Sequence, residues 1–362
     1  MKRFCFLLLW MFLAVPSYAR GGWPQLYAET GSAYLYGVEA EDLAVAALKG
    51  LKKVDKALTL GNDGTRVTLY YKGQVIKVGR KPQDKNDAEA WGKLTEEFIV
   101  AAVGKSPEAS GHDFETDEIM AAEMVNILDK DSKFYADIDE ANGISKYSRR
   151  RQFAARTEDG MLYLKIGAFN KQTFAEVKQA LEEYAFAPAL VVDLQGCPGG
   201  MAGEAVKIAD LFLDGGIIAS AKGKKDNEET FYNAGDGDVW QMKPVFVLVD
   251  EETASAAEIL AAALQEQGRA KVIGTKTRGK GTMQKLIALE NGGVLAVTEG
   301  FFLTPSGREL NNSGIVPDVC TFEMPPSKNV ENLLKEQSGN CGAEKRTDNR
   351  LEMNIVKFLV KK

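Results

Sequence analysis

Two short runs constrain this chain more than any other feature. Leu190-Val191-Val192-Asp193-Leu194 and Val245-Phe246-Val247-Leu248-Val249 are apolar, largely β-branched stretches without polar alternation. A strand with one wet face alternates polar and apolar residues, whereas a nearly continuous apolar run belongs to a sheet covered by helices. From about residue 150 onward such runs alternate with helical patterns. Strands are expected at 163–166, 190–194, 216–221, 229–233, 245–249, 271–275, 283–289 and 293–299. Helices are expected at 172–186, 203–213 and 254–267, the last stopped by Gly268. The fold class is therefore an α/β core within an α+β whole.

The first hundred residues read differently. Residues 39–58 carry Leu43, Ala46, Leu48, Leu51 and Val54 at helical spacing behind Glu41 and Asp42. Gly61-Asn62-Asp63-Gly64 marks a turn, and 66–71 with 74–78 form a hairpin around Lys72-Gly73. Two more helices are expected near 86–104 and 115–129. The resulting organisation is a module over 20–150, mostly helical, then a core over 151–322 and a tail with a helix over 323–362.

The amino terminus has the form of a secretory signal. Met1-Lys2-Arg3 is a basic start, Phe4 to Val15 an apolar run too short to span a bilayer comfortably, and Ser17 and Ala19 are small residues at the −3 and −1 positions. Cleavage is expected after Ala19, which places the chain in the periplasm or outside the cell. No other stretch approaches membrane-spanning length. The formal charge of −6 argues against a nucleic-acid surface, which needs a basic patch. Cys197, Cys320 and Cys341 remain after cleavage, and export permits Cys320 to pair with Cys341. No CxxC or Cys/His cluster suggests a metal, and no cofactor is implied.

Three short segments carry chemistry. Ser255 follows the 245–249 strand and opens a helix, where free backbone N–H groups and the positive dipole end can stabilise an oxyanion. The local sequence Ser255-Ala256-Ala257-Glu258 also fits a capping box, a purely structural role. Lys280 stands between Gly279 and Gly281 just past a strand, where partial burial would lower its pKa and let it act as a base. Gln284 lies four residues on and could orient it. Gly196 to Gly200 offers N–H donors at the end of the 190–194 strand. The single histidine, His112, sits in a polar stretch and reads as a solvated loop residue rather than a triad member.

In combination and order these segments resemble the C-terminal-processing, or tail-specific, serine peptidase family. The resemblance rests on Leu190 to Gly200, Thr253-Ala254-Ser255-Ala256-Ala257-Glu258-Ile259, Gly279-Lys280-Gly281-Thr282-Met283-Gln284, Phe302 to Gly307 and Gly314 to Asp318, and covers roughly 117–320. It implies a core like those of the crotonase and Clp-protease folds. It also implies Ser255 as nucleophile, Lys280 as general base, Gln284 as the lysine's partner, and an oxyanion hole from the N–H groups of Ala256 and of Gly199 or Gly200. Ser/Lys chemistry is a variant of the nucleophile-plus-base scheme. Protein or peptide substrates follow, with room for an activator or adaptor protein; the oligomeric state is not fixed by sequence.

The chain departs from the family pattern at Gln195 and Cys197, where arginine and asparagine are usual. Only 27 residues separate Tyr135 of the Leu128-Asp129…Ser132…Tyr135 marker from Tyr163, too few for the PDZ domain common in the family. Two rivals stand beside the peptidase reading. One is an inactive peptidase-like scaffold that binds peptides or an exported partner, favoured by Gln195 and Cys197. The other is acyl-thioester chemistry on a related core, which export disfavours.

Overall fold

The computed structural model describes residues 22–110, 113–141, 153–224, 229–235, 237–289, 292–325, 328–335, 341–345 and 347–361. The signal segment, His112 and Arg149 to Arg151 lie outside the described residues. The chain divides into two compact units, residues 1–141 with 284–299, and residues 142–283 with 300–362.

The first unit packs helices Gly22–Ala33, Ala40–Val54, Ala88–Val103 and Asp113–Val125 with an antiparallel sheet of Leu58–Asn62, Arg66–Tyr71 and Gln74–Arg80. Ala40–Val54 forms because Leu43, Ala47, Leu48 and Leu51 line one buried face, with Glu41 and Asp42 in its first turn and Lys52 and Lys53 in its last. Asp87 caps the next long helix by accepting the Ala90 N–H at 2.9 Å. The turn expected at 61–64 sits later than the glycine suggested. The first strand runs through Asn62, and Asp63 makes the turn by accepting the N–H groups of Thr65 and Arg66, both at 2.8 Å. The helix at Gly22–Ala33 had no clear periodic signal, but it buries Trp23, Leu26 and Tyr27.

Residues 284–299 depart from the expected 151–322 core. Their apolar side chains Ile287, Leu295 and Val297 belong to the hydrophobic cluster of the first unit, so burial assigns the hairpin there. The Leu128-Asp129…Ser132 marker is a joint in this unit. Asp129 Oδ1 accepts the Asp131 and Ser132 N–H groups at 2.8 and 2.9 Å, and the Ser132 hydroxyl accepts the Thr298 N–H at 3.0 Å.

The second unit is built on a six-stranded sheet in the order Val319–Cys320, Lys271–Gly274, Val245–Val249, Leu190–Asp193, Met161–Ile166, Phe153–Glu158. The first five are parallel and the last, an edge strand missing from the sequence reading, is antiparallel. Both faces are covered, which explains the continuous apolar runs. Leu164, Leu190, Val192, Val245 and Val247 pack in one cluster with helices Thr173–Glu183, Ala202–Asp210 and Ala256–Glu266. Tyr163, Val191, Phe246 and Leu248 pack in another with Leu333, Leu351, Ile355 and Val356 of the tail. Each such side chain contributes roughly 1.5–3 kcal/mol on burial. The tail is therefore part of this unit's core.

Cys320 and Cys341 are joined by a disulfide that closes a loop of 21 residues in sequence separation. It holds the segment after Cys341 against the ends of two sheet strands. Gly342 O accepts the Lys276 N–H at 2.9 Å, and Glu344 O accepts the Thr275 hydroxyl at 2.7 Å. Among the described residues no helix is long and apolar enough to cross a membrane.

Candidate active site

Three neighbouring parallel strands end at the same edge of the sheet and deliver three loops there. Leu190–Asp193 leads into the Gly196–Gly200 turn, Val245–Val249 into Ser255, and Lys271–Gly274 into Lys280. In open α/β sheets this carboxyl edge is where ligands bind.

Ser255 has φ 56° and ψ −120° immediately before helix Ala256–Glu266. A positive φ at a non-glycine residue costs on the order of 1–3 kcal/mol and points to a functional constraint. The Glu258 N–H goes to the Ser255 carbonyl oxygen at 2.8 Å, while Glu258 Oε2 accepts the Ser255 N–H at 2.8 Å.

Glu258 is the residue whose importance the sequence understated. It is fully buried, and four donors converge on it. Oε2 accepts the N–H groups of Ser255 at 2.8 Å and of Lys280 at 2.9 Å. Oε1 accepts the Gly279 N–H at 2.8 Å and the Thr277 hydroxyl at 2.5 Å. Because the Ile315 N–H donates to that same hydroxyl at 2.7 Å, the Thr277 proton is directed to the carboxylate. One side chain thus ties the backbone of the candidate nucleophile to that of the candidate base. Its only sequence signal was the Ser-x-x-Glu spacing of a capping box.

The glycine turn comes equally close. A Cβ on Gly199, where φ is +100°, would lie 2.7 Å from Ser255 Cβ and 2.9 Å from the Ala256 nitrogen. A side chain at Gly200, at φ +132°, would meet the Phe169 carbonyl at 2.2 Å. The N–H groups of Gly200 and Ala256 meet no protein acceptor among the described residues. Cys197 itself is a free, buried thiol, and burial pushes its pKa up to about 12.

Gly199, Gly200, Ser255, Ala256 and Lys280 are therefore gathered at one sheet edge, with Ser255 and Lys280 half-buried. Gln284 lies on the strand Thr282–Ala288, also half-buried. Gln195 is buried, and its Nε2 has no hydrogen-bond partner among the described residues. Lys165 lies beside the turn, donating to the Gln195 carbonyl at 2.5 Å and pairing with Asp193 at 3.0 Å. Among the described residues no cluster of three or more His, Cys, Asp or Glu side chains is placed to hold a metal ion.

A strained serine, a glycine turn and a glycine-flanked lysine thus stand at neighbouring strand ends of one parallel sheet. Residues 160–321, 162 of the chain's 362, match the model of Peptidase family S41, and curated relatives that the chain resembles are carboxy-terminal-processing proteases. It is 32% identical over 284 residues to the carboxy-terminal-processing protease of Bartonella bacilliformis, covering 74% of this chain and 63% of that protein. It is 36% identical over 158 residues to the carboxyl-terminal-processing protease of a Synechocystis species, covering 43% of this chain and 36% of that protein. A solved photosystem II D1 C-terminal processing protease is similar at 30% identity over 46% of this chain and 45% of that one, with a TM-score of 0.41. The chain thus spans less than two thirds of these relatives.

Proposed function

We propose that this chain is an exported serine endopeptidase that hydrolyses protein substrates through a Ser255/Lys280 dyad and an acyl-enzyme. The observation that carries the reading is the strained Ser255 at a helix start, with its N–H and that of Lys280 on one buried carboxylate.

A neutral Lys280 takes the proton from Ser255 Oγ, which attacks the scissile carbonyl carbon. The carbonyl oxygen becomes an oxyanion beside the N–H groups of Ala256 and of Gly199 or Gly200. Collapse expels the amine, which takes up the lysine's proton. Water, deprotonated by the same lysine, attacks the acyl carbon, and collapse breaks the ester bond as Ser255 Oγ takes the proton back from Lys280. Gln284 orients the Lys280 amine, as the family resemblance implies. Cleavage near substrate carboxyl termini, a PDZ-less organisation, removal of residues 1–19 after Ala19 and a periplasmic or extracellular location complete the reading. The 27 residues between Tyr135 and Tyr163 support the second of these, and the basic-then-apolar start supports the last two.

A fluorophosphonate probe tests it. Covalent modification mapped to Ser255 and lost on prior denaturation is the expected result. An unlabelled, folded protein would favour the inactive scaffold instead.

A further inference from the structure

We infer that Asp250 is a positioning residue whose carboxylate aligns the Gly196–Gly200 turn with the loop bearing Ser255. The inference rests on the peptidase reading above and concerns how the two halves of the oxyanion site are held together.

The oxyanion donors come from different strands. Gly200 follows Leu190–Asp193, while Ala256 follows Val245–Val249. Backbone pairing within the sheet sets the strands, but both chains then leave the sheet for several residues. Something beyond the ladder must fix one loop against the other, because an oxyanion donor displaced by about 1 Å loses much of its effect.

Asp250 stands where that need arises, as the first residue beyond the Val245–Val249 strand, and it is fully buried. Its Oδ1 accepts the Gly196 N–H of the glycine turn at 2.9 Å. The same oxygen accepts from its own loop, with the N–H groups of Glu252 and Thr253 and the Thr253 hydroxyl each at 3.1 Å. Thr253 completes the lock. Its hydroxyl lies 2.9 Å from the Leu194 carbonyl and accepts the Asp250 N–H at 2.9 Å, while its carbonyl accepts the Arg278 N–H at 3.1 Å. The Ala254 N–H adds a bond to the Cys197 carbonyl at 2.9 Å. The Asp250–Thr253 pair therefore joins all three loops of the site, whereas Glu258 joins only the second and third.

The charge matters as well as the shape. A carboxylate oxygen carries more negative charge than an amide oxygen and supports several donors at once. Asp250→Asn keeps the size but weakens the acceptor that Gly196 shares with Glu252 and Thr253. The Gly196 N–H is left on a weaker acceptor, so the turn loosens at that end while the Ala254 bond to the Cys197 carbonyl remains. Ser255 stays in place, because Glu258 holds its N–H independently.

The experiment compares wild type, Asp250→Asn and Thr253→Val. The probe is a peptide boronate built on a sequence the wild type cuts in unfolded casein, set against the same peptide as a free acid. The boronate forms a tetrahedral adduct with a serine and places an oxygen in the oxyanion site; the free acid does not. The expected result for both variants is boronate affinity and kcat lowered about tenfold or more, with free-acid affinity and KM within about twofold of wild type. Thr253→Val keeps the test decisive if Asp250→Asn fails to fold. Unchanged boronate affinity, or equal loss for boronate and acid, overturns the inference while the peptidase reading stands. A wild type that forms no adduct at Ser255 overturns both.

Discussion

Glu258 Oε2 accepts the main-chain N–H of Lys280 at 2.9 Å while holding the Ser255 N–H at 2.8 Å. The two residues that would exchange a proton are thus fixed, 25 positions apart in sequence, by one buried oxygen.

Replacing Glu258 by Gln would turn half of that acceptor into a donor facing N–H groups. Leaving such a buried group unmatched costs roughly 1–3 kcal/mol. Glu258→Gln is expected to lower the unfolding midpoint in urea and to reduce kcat by about 100-fold or more, since both backbones shift. Wild-type kcat in the folded variant would show that the bridge has no catalytic consequence.

Gly199→Ala probes the other close approach. The new methyl would enter the space of Ser255 Cβ and the Ala256 nitrogen at a φ of +100°. Activity should fall at least tenfold, with stability lower by about 1–3 kcal/mol. Kinetics and thermal unfolding on one preparation separate the two effects.

The alkaline limb of stability follows from burial. Cys197 is pushed up to about 12 by desolvation, partly offset by the Gly199 N–H. An unfolded cysteine ionises near about 8.5. The folded thiol keeps its proton where the unfolded one releases it. Its contribution is therefore full below about pH 8.5 and is lost as pH rises toward 12, at about 1.4 kcal/mol per pH unit. Tyr27 and Tyr163, also raised mainly by burial, extend the loss above about pH 10. Urea unfolding at pH 8, 9 and 10 should show falling stability, and Cys197→Ala should flatten the first part. An equal slope in that variant would contradict the assignment.

Reduction of Cys320–Cys341 should destabilise the second unit. Closing a loop of this length is worth about 3 kcal/mol in chain entropy. The freed segment also carries the Gly342 and Glu344 bonds to Lys276 and Thr275, residues leading to Lys280. A dithiol reductant should lower both Tm and kcat, and Cys320→Ser/Cys341→Ser should reproduce that state without reductant. An unchanged kcat would separate the disulfide from the site.

The legible parts of this chain were those with local periodicity or motif order. The Val245–Val249 strand appears as expected, and Leu190–Asp193 ends within one residue of its expected bound, because buried parallel strands need unbroken apolar runs. Less was legible where tertiary packing decides. Residues 284–299 read as core strands, yet nothing local says that Ile287, Leu295 and Val297 are buried with the first unit. The edge strand Phe153–Glu158 has polar residues and one covered face, so its signal is weak. Glu258 and Asp250 were hidden for another reason. A carboxylate that joins the backbone of separate loops is recognisable only when the loops are brought together.

Cleavage of unfolded casein by wild type, Ser255→Ala and Lys280→Ala, read as fragments by mass spectrometry, decides whether these two side chains carry the chemistry. Both substitutions should abolish cleavage while circular dichroism and Tm stay close to wild type. Cleavage by all three at equal rates, with identical fragment ends, would contradict it.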